Sequence, residues 1–194
     1  MKVPRNARLA VGVLLAAATA ILSLLGVIAL RSGGEARLGP VPLMKIAAGY
    51  DRSALPILAG PAIPSFAERR RAVALSHGAI TQFPYDVSDW LRLAYVDDLD
   101  HGGLTPQGVA DLRRSYDLIA VDSELGFWRV RFALENSQVL PGDVRASVRR
   151  EVAAMWVNPN HRAQLRQAIP SIHNPAGRLS LALWLNRLDA SVAR

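Results

Sequence analysis

The chain has 194 residues, of which 51% are hydrophobic, and a formal net charge of +7. It contains no cysteine, which excludes disulfide bonds, thiolate metal sites and cysteine nucleophiles. The charge alternates in sign: residues 1–85 carry +7, residues 86–124 carry −6 and residues 125–194 carry +6. A nucleic-acid-binding protein typically has one continuous basic face with interleaved aromatic residues. The alternation therefore argues against a nucleic-acid partner and favours a protein partner, an anionic lipid or a glycan.

The N-terminal region pairs a short basic segment with a long apolar one. Residues 1–8 contain three basic side chains, and the 22 residues of segment 9–30 contain no charge before Arg31. At about 1.5 Å per residue such a helix is roughly 33 Å long, enough to cross the hydrocarbon core of a bilayer. We therefore predict a single transmembrane helix over residues 9–30. A cleaved signal peptide is the alternative, but its apolar core is usually shorter, about 7–15 residues.

The distribution of basic residues predicts the orientation of this helix. Because positive residues are retained on the cytoplasmic side, residues 1–8 are predicted to be cytoplasmic and the rest of the chain to lie outside. Arg outnumbers Lys by 21 to 2, a bias associated with GC-rich bacterial coding. The predicted location is the bacterial inner membrane, with the C-terminal domain in the periplasm.

Residues 31–63 are rich in glycine and proline and show no sustained period, so we predict a linker or loosely packed arm. Residues 64–194 are predicted to form a helical periplasmic domain. Its helix starts are marked by N-cap residues, several of which precede proline. These starts lie at Ser65, Asp86, Thr105, Asp122, Asp143, Asn158 and Asn174.

The first of these helices is predicted to end near Gln82 and the second at His101-Gly102-Gly103. Apolar residues recur at helical spacing between the caps, and no segment shows the alternation typical of a strand. The sequence thus predicts an all-α fold of six or seven short helices, each of about 10–18 residues.

Two segments resemble successive units of one repeat. Residues 79–86, followed by Trp90-Leu91-Arg92-Leu93-Ala94, resemble the junction between tetratricopeptide repeats, and residues 118–122 lead in the same way to Trp128. The two segments are separated by about 36 residues, against a family period of 34. The second unit departs from the pattern, with Ala120 in place of the turn proline and Arg129 in place of a small residue.

The resemblance covers about 75 residues and implies antiparallel helix pairs whose concave groove binds peptide or protein. The helices that contain Trp90 and Trp128 would line the inner face. An irregular orthogonal helical bundle is the alternative interpretation of the same helices.

No motif in the chain indicates catalysis. The densest group of possible ligands, Asp97-Asp98-Leu99-Asp100-His101, lacks the spacing of a calcium loop, and we interpret it as a solvated helix end. The four histidines are scattered, and both Gly-x-Ser-x-Gly and a phosphate-binding loop are absent from the sequence. We therefore predict no catalytic residue, no metal site and no cofactor, and expect that the protein is not an enzyme.

Tryptophan and arginine are the residues most often found at binding hot spots. Four tryptophans fall one in each of four predicted helices, and two arginine pairs lie on other helical faces. Arg149 and Arg150 lie beside the apolar stripe of their helix, where they would frame a groove for an acidic segment. The candidate partner-binding residues are Trp90, Trp128, Arg113, Arg114, Arg149 and Arg150.

These observations predict a non-enzymatic, membrane-anchored adaptor or scaffold that contacts one or more membrane or periplasmic proteins. Its setting would be a bacterial envelope assembly, such as polysaccharide synthesis and export or secretion. One alternative is an envelope hydrolase that uses carboxylates of residues 86–124, provided that these converge in a cleft. Another is a small accessory subunit of a membrane energy complex, because the small residues of segment 9–30 permit close helix contact.

Overall fold

The computed structural model describes the backbone of residues 35–38, 41–45 and 63–192. The predicted cytoplasmic segment 1–8 and transmembrane segment 9–30 lie outside these residues. Among the helices that are described, none is both long enough and apolar enough to cross a membrane.

Two short strands lie within the segment predicted as a linker. Strand β1 (Glu35–Leu38) pairs antiparallel with β2 (Val41–Lys45), and the register shifts between Ala36 and Arg37. The sequence pattern predicts no strand there. Strands of four and five residues are too short to show a distinct alternation of polar and apolar positions, which explains the omission.

Helices are the only regular secondary structure in residues 63–192, which confirms the all-α prediction for this part of the chain. A short 3-10 turn, Ile169–Ser171, separates the last two of them. The seven α-helices of this region are α1 (Phe66–Gln82), α2 (Val87–His101), α3 (Pro106–Leu118), α4 (Gly126–Glu135), α5 (Gly142–Trp156), α6 (Pro159–Ala168) and α7 (Pro175–Val192).

Local capping chemistry sets most of the helix boundaries. Ser65 forms a complete capping box with Glu68, and the Thr105 hydroxyl accepts the backbone N–H of Gly108 one turn into α3. Helix α2 ends at Gly102, whose φ of +67° is the left-handed conformation that glycine adopts without steric cost. The predicted starts at Ser65, Asp86, Thr105, Asn158 and Asn174 are confirmed by the side-chain bonds of these residues.

Two predicted starts are displaced. Helix α5 begins at Gly142 with Pro141 at its N-cap, so Asp143 lies in the first turn and does not cap the helix. Helix α4 has Leu125 at its N-cap, three residues after the predicted cap. The Asp122 carboxylate accepts the backbone N–H groups of Glu124 and Leu125, at 2.8 and 2.7 Å. Asp122 therefore caps a separate turn ahead of the helix, because an aspartate side chain satisfies a tight turn as well as a helix end.

The helices pack in pairs along the chain, α1 against α2, α2 against α3, α4 against α5 and α5 against α6. Helix α7 then returns to contact both α4 and α5. Tyr95 of α2 lies edge-on to Trp128 and Phe132 of α4, at ring-centroid distances of 5.6 and 6.0 Å. The α4–α7 contact joins helices with two others between them in the chain, whereas a regular one-dimensional stack joins near neighbours.

Candidate functional site

A groove with a basic wall lies between α5 and α7. It has a volume of about 540 Å³, and its polar lining is supplied by arginines of α5 facing Trp184 of α7. Arg145 and Arg149 are one helical turn apart, so their side chains project from the same face. Ala146 and Ala153 contribute small side chains to the same lining, which leaves the groove open. The residues that line this basic groove are Gly142, Arg145, Ala146, Arg149, Arg150, Ala153 and Trp184.

The arginines of the basic groove keep their charge available. Among residues 63–191, no ion pair formed in the structure includes Arg145, Arg149 or Arg150. Arg150 donates a hydrogen bond of 2.8 Å to the hydroxyl of Ser147, which leaves its net charge unchanged. Guanidinium groups bind carboxylates through paired, charge-assisted hydrogen bonds. The groove is therefore suited chemically to an acidic ligand with an apolar part that contacts Trp184.

Arg113 and Arg114 of α3 lie outside this groove. The Arg113 Nε donates to the Asp143 carboxylate at 2.7 Å, and this hydrogen bond raises the pKa of Arg113 and lowers the pKa of Asp143. Arg113 also lines a separate cavity of about 420 Å³ with Val139. Arg114 is half-buried on the same helix. The structure therefore does not bring this predicted pair together with Arg149 and Arg150.

Trp90 and Trp128 are half-buried packing residues. The indole N–H of Trp90 donates to the Pro84 carbonyl at 3.0 Å, which ties α2 to the turn before it. The Trp128 ring stacks on Phe132 with a centroid distance of 5.0 Å and an interplanar angle of 15°. The tryptophan that lines the basic groove is Trp184. It lies near Arg149 because two distant helices pack together, and local sequence spacing does not predict such packing.

The acidic residues at the end of α2 hold neighbouring helices. Asp97 accepts the backbone N–H and the hydroxyl of Thr105, at 2.8 and 2.9 Å, and so fixes the start of α3. Asp100 pairs with Arg69 of α1 at 2.5 Å. Burial raises the pKa of Asp98, although a hydrogen bond with the side chain of Asn136 opposes the rise. Carboxylates at a helix C-terminus interact unfavourably with the helix dipole. The contacts with Thr105, Arg69 and Asn136 offset this unfavourable interaction.

Other carboxylates of residues 86–124 also have structural roles. Asp86 accepts the N–H and hydroxyl of Ser88 at the start of α2, at 2.9 and 2.7 Å. Asp86, Asp122 and Glu124 line a second cleft of about 640 Å³, and Asp122 is a turn cap there. Within the described part of the chain, no cluster of three or more histidine and acidic residues is arranged to hold a metal ion.

The core contains an ion pair between Arg129 of α4 and Glu151 of α5, both with fully buried side chains. Arg129 binds the carboxylate through Nε and Nη2, at 3.0 and 2.5 Å. Its Nη1 donates to the carbonyl oxygens of Ser115 and Ile119, at 3.0 and 2.9 Å. The guanidinium carbon also lies 4.0 Å from the ring centroid of Tyr116. In the sequence, Arg129 is distinguished only as a departure from the repeat pattern.

Comparison of the chain with protein-family models, curated proteins and solved structures finds no match.

Proposed function

We propose that this protein is a non-enzymatic adaptor that binds an acidic segment of another protein in the basic groove. The observation that carries this proposal is the set of arginines from α5 that surround Trp184 and have no carboxylate partner among residues 63–191. Elsewhere on the domain, Arg69, Arg113 and Arg166 pair with aspartates. A surface that combines arginine with tryptophan has the composition of a binding hot spot.

The proposed adaptor is held at the bacterial inner membrane by residues 9–30, with its helical domain in the periplasm. The uncharged length of that segment and the basic residues before it support this placement. The packing of consecutive helices supports tetratricopeptide-like antiparallel helix pairs, and the α4–α7 contact is a departure from the regular stack of that family. The partner would belong to an envelope assembly such as a polysaccharide export or secretion system.

The test is recovery of a stoichiometric partner with the tagged full-length chain, solubilised from native membranes in mild detergent and analysed by mass spectrometry. The double variant Arg149→Glu/Arg150→Glu should lose that partner, because the groove would then repel an acidic segment. Arg70→Glu/Arg71→Glu is the matched control, since these two adjacent arginines are exposed on α1. Retention of the partner by the first variant, or its equal loss from both, would refute the assignment of the groove.

A hydrolase is the second candidate, supported by the three carboxylates that line the 640 Å³ cleft. Because Asp86 caps helix α2 and Asp122 caps a turn, Glu124 is the carboxylate left to act on a substrate. Hydrolysis of cell-wall material that disappears in Glu124→Gln would favour this candidate. The accessory role in a membrane energy complex depends on residues 9–30 and would be tested by replacing that segment with an unrelated transmembrane helix.

A further inference from the structure

Three turns lie side by side along one edge of the helical domain. The 640 Å³ cleft is lined by residues of the α1–α2 turn and of the α3–α4 turn. A neighbouring cavity of about 380 Å³ is lined by the same α3–α4 turn and by the α5–α6 turn. The two cavities share Val121, Asp122 and Ser123, so they form one continuous surface. We call this surface the turn edge.

Large apolar side chains are concentrated on the turn edge. Ten large hydrophobic residues are exposed in the described part of the chain, and half of them lie here. Tyr85 is 64% exposed and Val157 is 75% exposed, and exposed apolar residues are informative when they form a patch. A contiguous apolar patch on a folded domain marks an interaction site. The exposed apolar residues of the turn edge are Phe83, Tyr85, Ile119, Val121 and Val157.

The charges around this patch are negative. Asp86, Asp122 and Glu124 line the larger cavity, and no lysine or arginine is among the described residues that line either cavity. The Asp86 and Asp122 carboxylates are fixed in place by backbone N–H groups. The Phe83 and Tyr85 rings are in edge-to-face contact, with centroids 6.0 Å apart. The turn edge is therefore partly preorganised for binding, which lowers the ordering cost of association.

We propose that the turn edge is a docking surface for a protein segment that combines apolar side chains with lysine or arginine. The apolar residues would supply contact area, and the carboxylates would select a basic partner by charge complementarity. Residues 46–62 of this chain are apolar but contain one acidic and one basic residue, so they offer no net positive charge. The surface therefore fits a separate basic protein better than it fits this preceding segment, and its charge is opposite to that of the basic groove.

The experiment uses the full-length chain in phosphatidylcholine nanodiscs, with the photocrosslinker benzoylphenylalanine placed at Val121. The probes are three fluorescent peptides of equal length that alternate leucine with lysine, with glutamate or with serine. The matched control carries the crosslinker at Val139, which is 52% exposed but lies between α4 and α5, away from the turn edge. Circular dichroism before irradiation verifies that both proteins are helical and unfold at the same temperature.

We expect the lysine peptide to crosslink at Val121 at least about tenfold more than the glutamate peptide, and to lose this preference in 0.5 M salt because screening weakens exposed charges. The Glu124→Lys substitution, at an exposed position, should reduce crosslinking of the lysine peptide several-fold. Equal labelling by the lysine and glutamate peptides would overturn the proposal, as would equal labelling at Val139. Crosslinks within one chain, or between two copies, in place of the peptide would show that the protein itself covers the surface.

Discussion

Replacement of Glu151 by glutamine should destabilise the domain more than any single surface change. Glu151→Gln keeps the shape of the side chain but removes its charge, and Arg129 then lies fully buried without a counterion. The carboxylate now accepts two hydrogen bonds from Arg129 and one of 3.0 Å from the backbone N–H of Asp122. Breaking a buried pair by removing one partner typically costs about 3–5 kcal/mol.

This cost is large against the total stability expected for a domain, about 5–15 kcal/mol. Urea unfolding of the full-length chain in a neutral detergent, followed by circular dichroism, measures it directly. With a slope of about 2 kcal/mol per molar urea, a loss of about 4 kcal/mol lowers the midpoint by about 2 M. The slope itself should stay constant, because the substitution changes little of the surface exposed on unfolding.

The exposed pair between Arg113 and Asp143 provides the control. Both side chains are substantially solvent-accessible, at 39% and 60%. Asp143→Asn should therefore lower the free energy of unfolding by less than about 1 kcal/mol, the range of surface ion pairs. If Glu151→Gln lowered the urea midpoint no more than Asp143→Asn does, the buried pair would contribute no more to stability than an exposed one, which would refute the prediction.

Three other substitutions test individual side chains of the domain. Gly177→Ala should cost about 1–3 kcal/mol in urea unfolding, because its Cβ would lie 2.0 Å from the carbonyl oxygen of Leu134; unchanged stability would contradict the close α4–α7 contact. Tyr116→Phe should leave stability unchanged or raise it by up to about 1 kcal/mol, because the buried hydroxyl has no hydrogen-bond partner among the described residues; a marked loss in the same assay would refute this. Burial acts to raise the pKa of Glu135, but the N–H groups of His173 and Asn174 outweigh it and lower that pKa below the ordinary 4.5. The stabilisation by Glu135 is therefore present above pH 4.5 and lost as the pH falls through the lowered pKa. Glu135→Gln should flatten the acid side of the Tm–pH profile. A profile identical to that of the unchanged protein would contradict this stabilising role of Glu135.

The helix boundaries were predictable where their chemistry is local. The capping box of Ser65 and the proline after Thr105 act within four residues of the chain, so the sequence pattern contains the whole interaction. The start of α4 was misplaced because Asp122 caps a turn with the same bonds that would cap a helix. A single sequence offers no local signal that distinguishes these two outcomes.

The site depends on contacts between distant segments, and only part of it was predictable. Helical spacing suggested that Arg149 and Arg150 border a groove, but the opposite wall, Trp184, comes from a helix that the sequence alone does not place. The Arg129–Glu151 pair was missed for the same reason. An arginine within an apolar helix face indicates a buried counterion, but it does not identify which of the acidic residues supplies it.

The buried pair also links the core to the turn edge. Glu151 accepts the N–H of Asp122, and Arg129 donates to the carbonyl of Ile119, so both side chains hold the turn that carries Val121. A buried ion pair often adds little net stability compared with an apolar replacement, and fixing this turn gives the pair a second role.

Arg149 and Arg150 are exposed on α5 and have no bond to that turn among the described contacts. Under conditions where Glu151→Gln remains folded, it should therefore lower peptide crosslinking at Val121, whereas Arg149→Glu/Arg150→Glu should leave that crosslinking unchanged. Equal effects of the two variants would show that the basic groove and the turn edge are not independent surfaces.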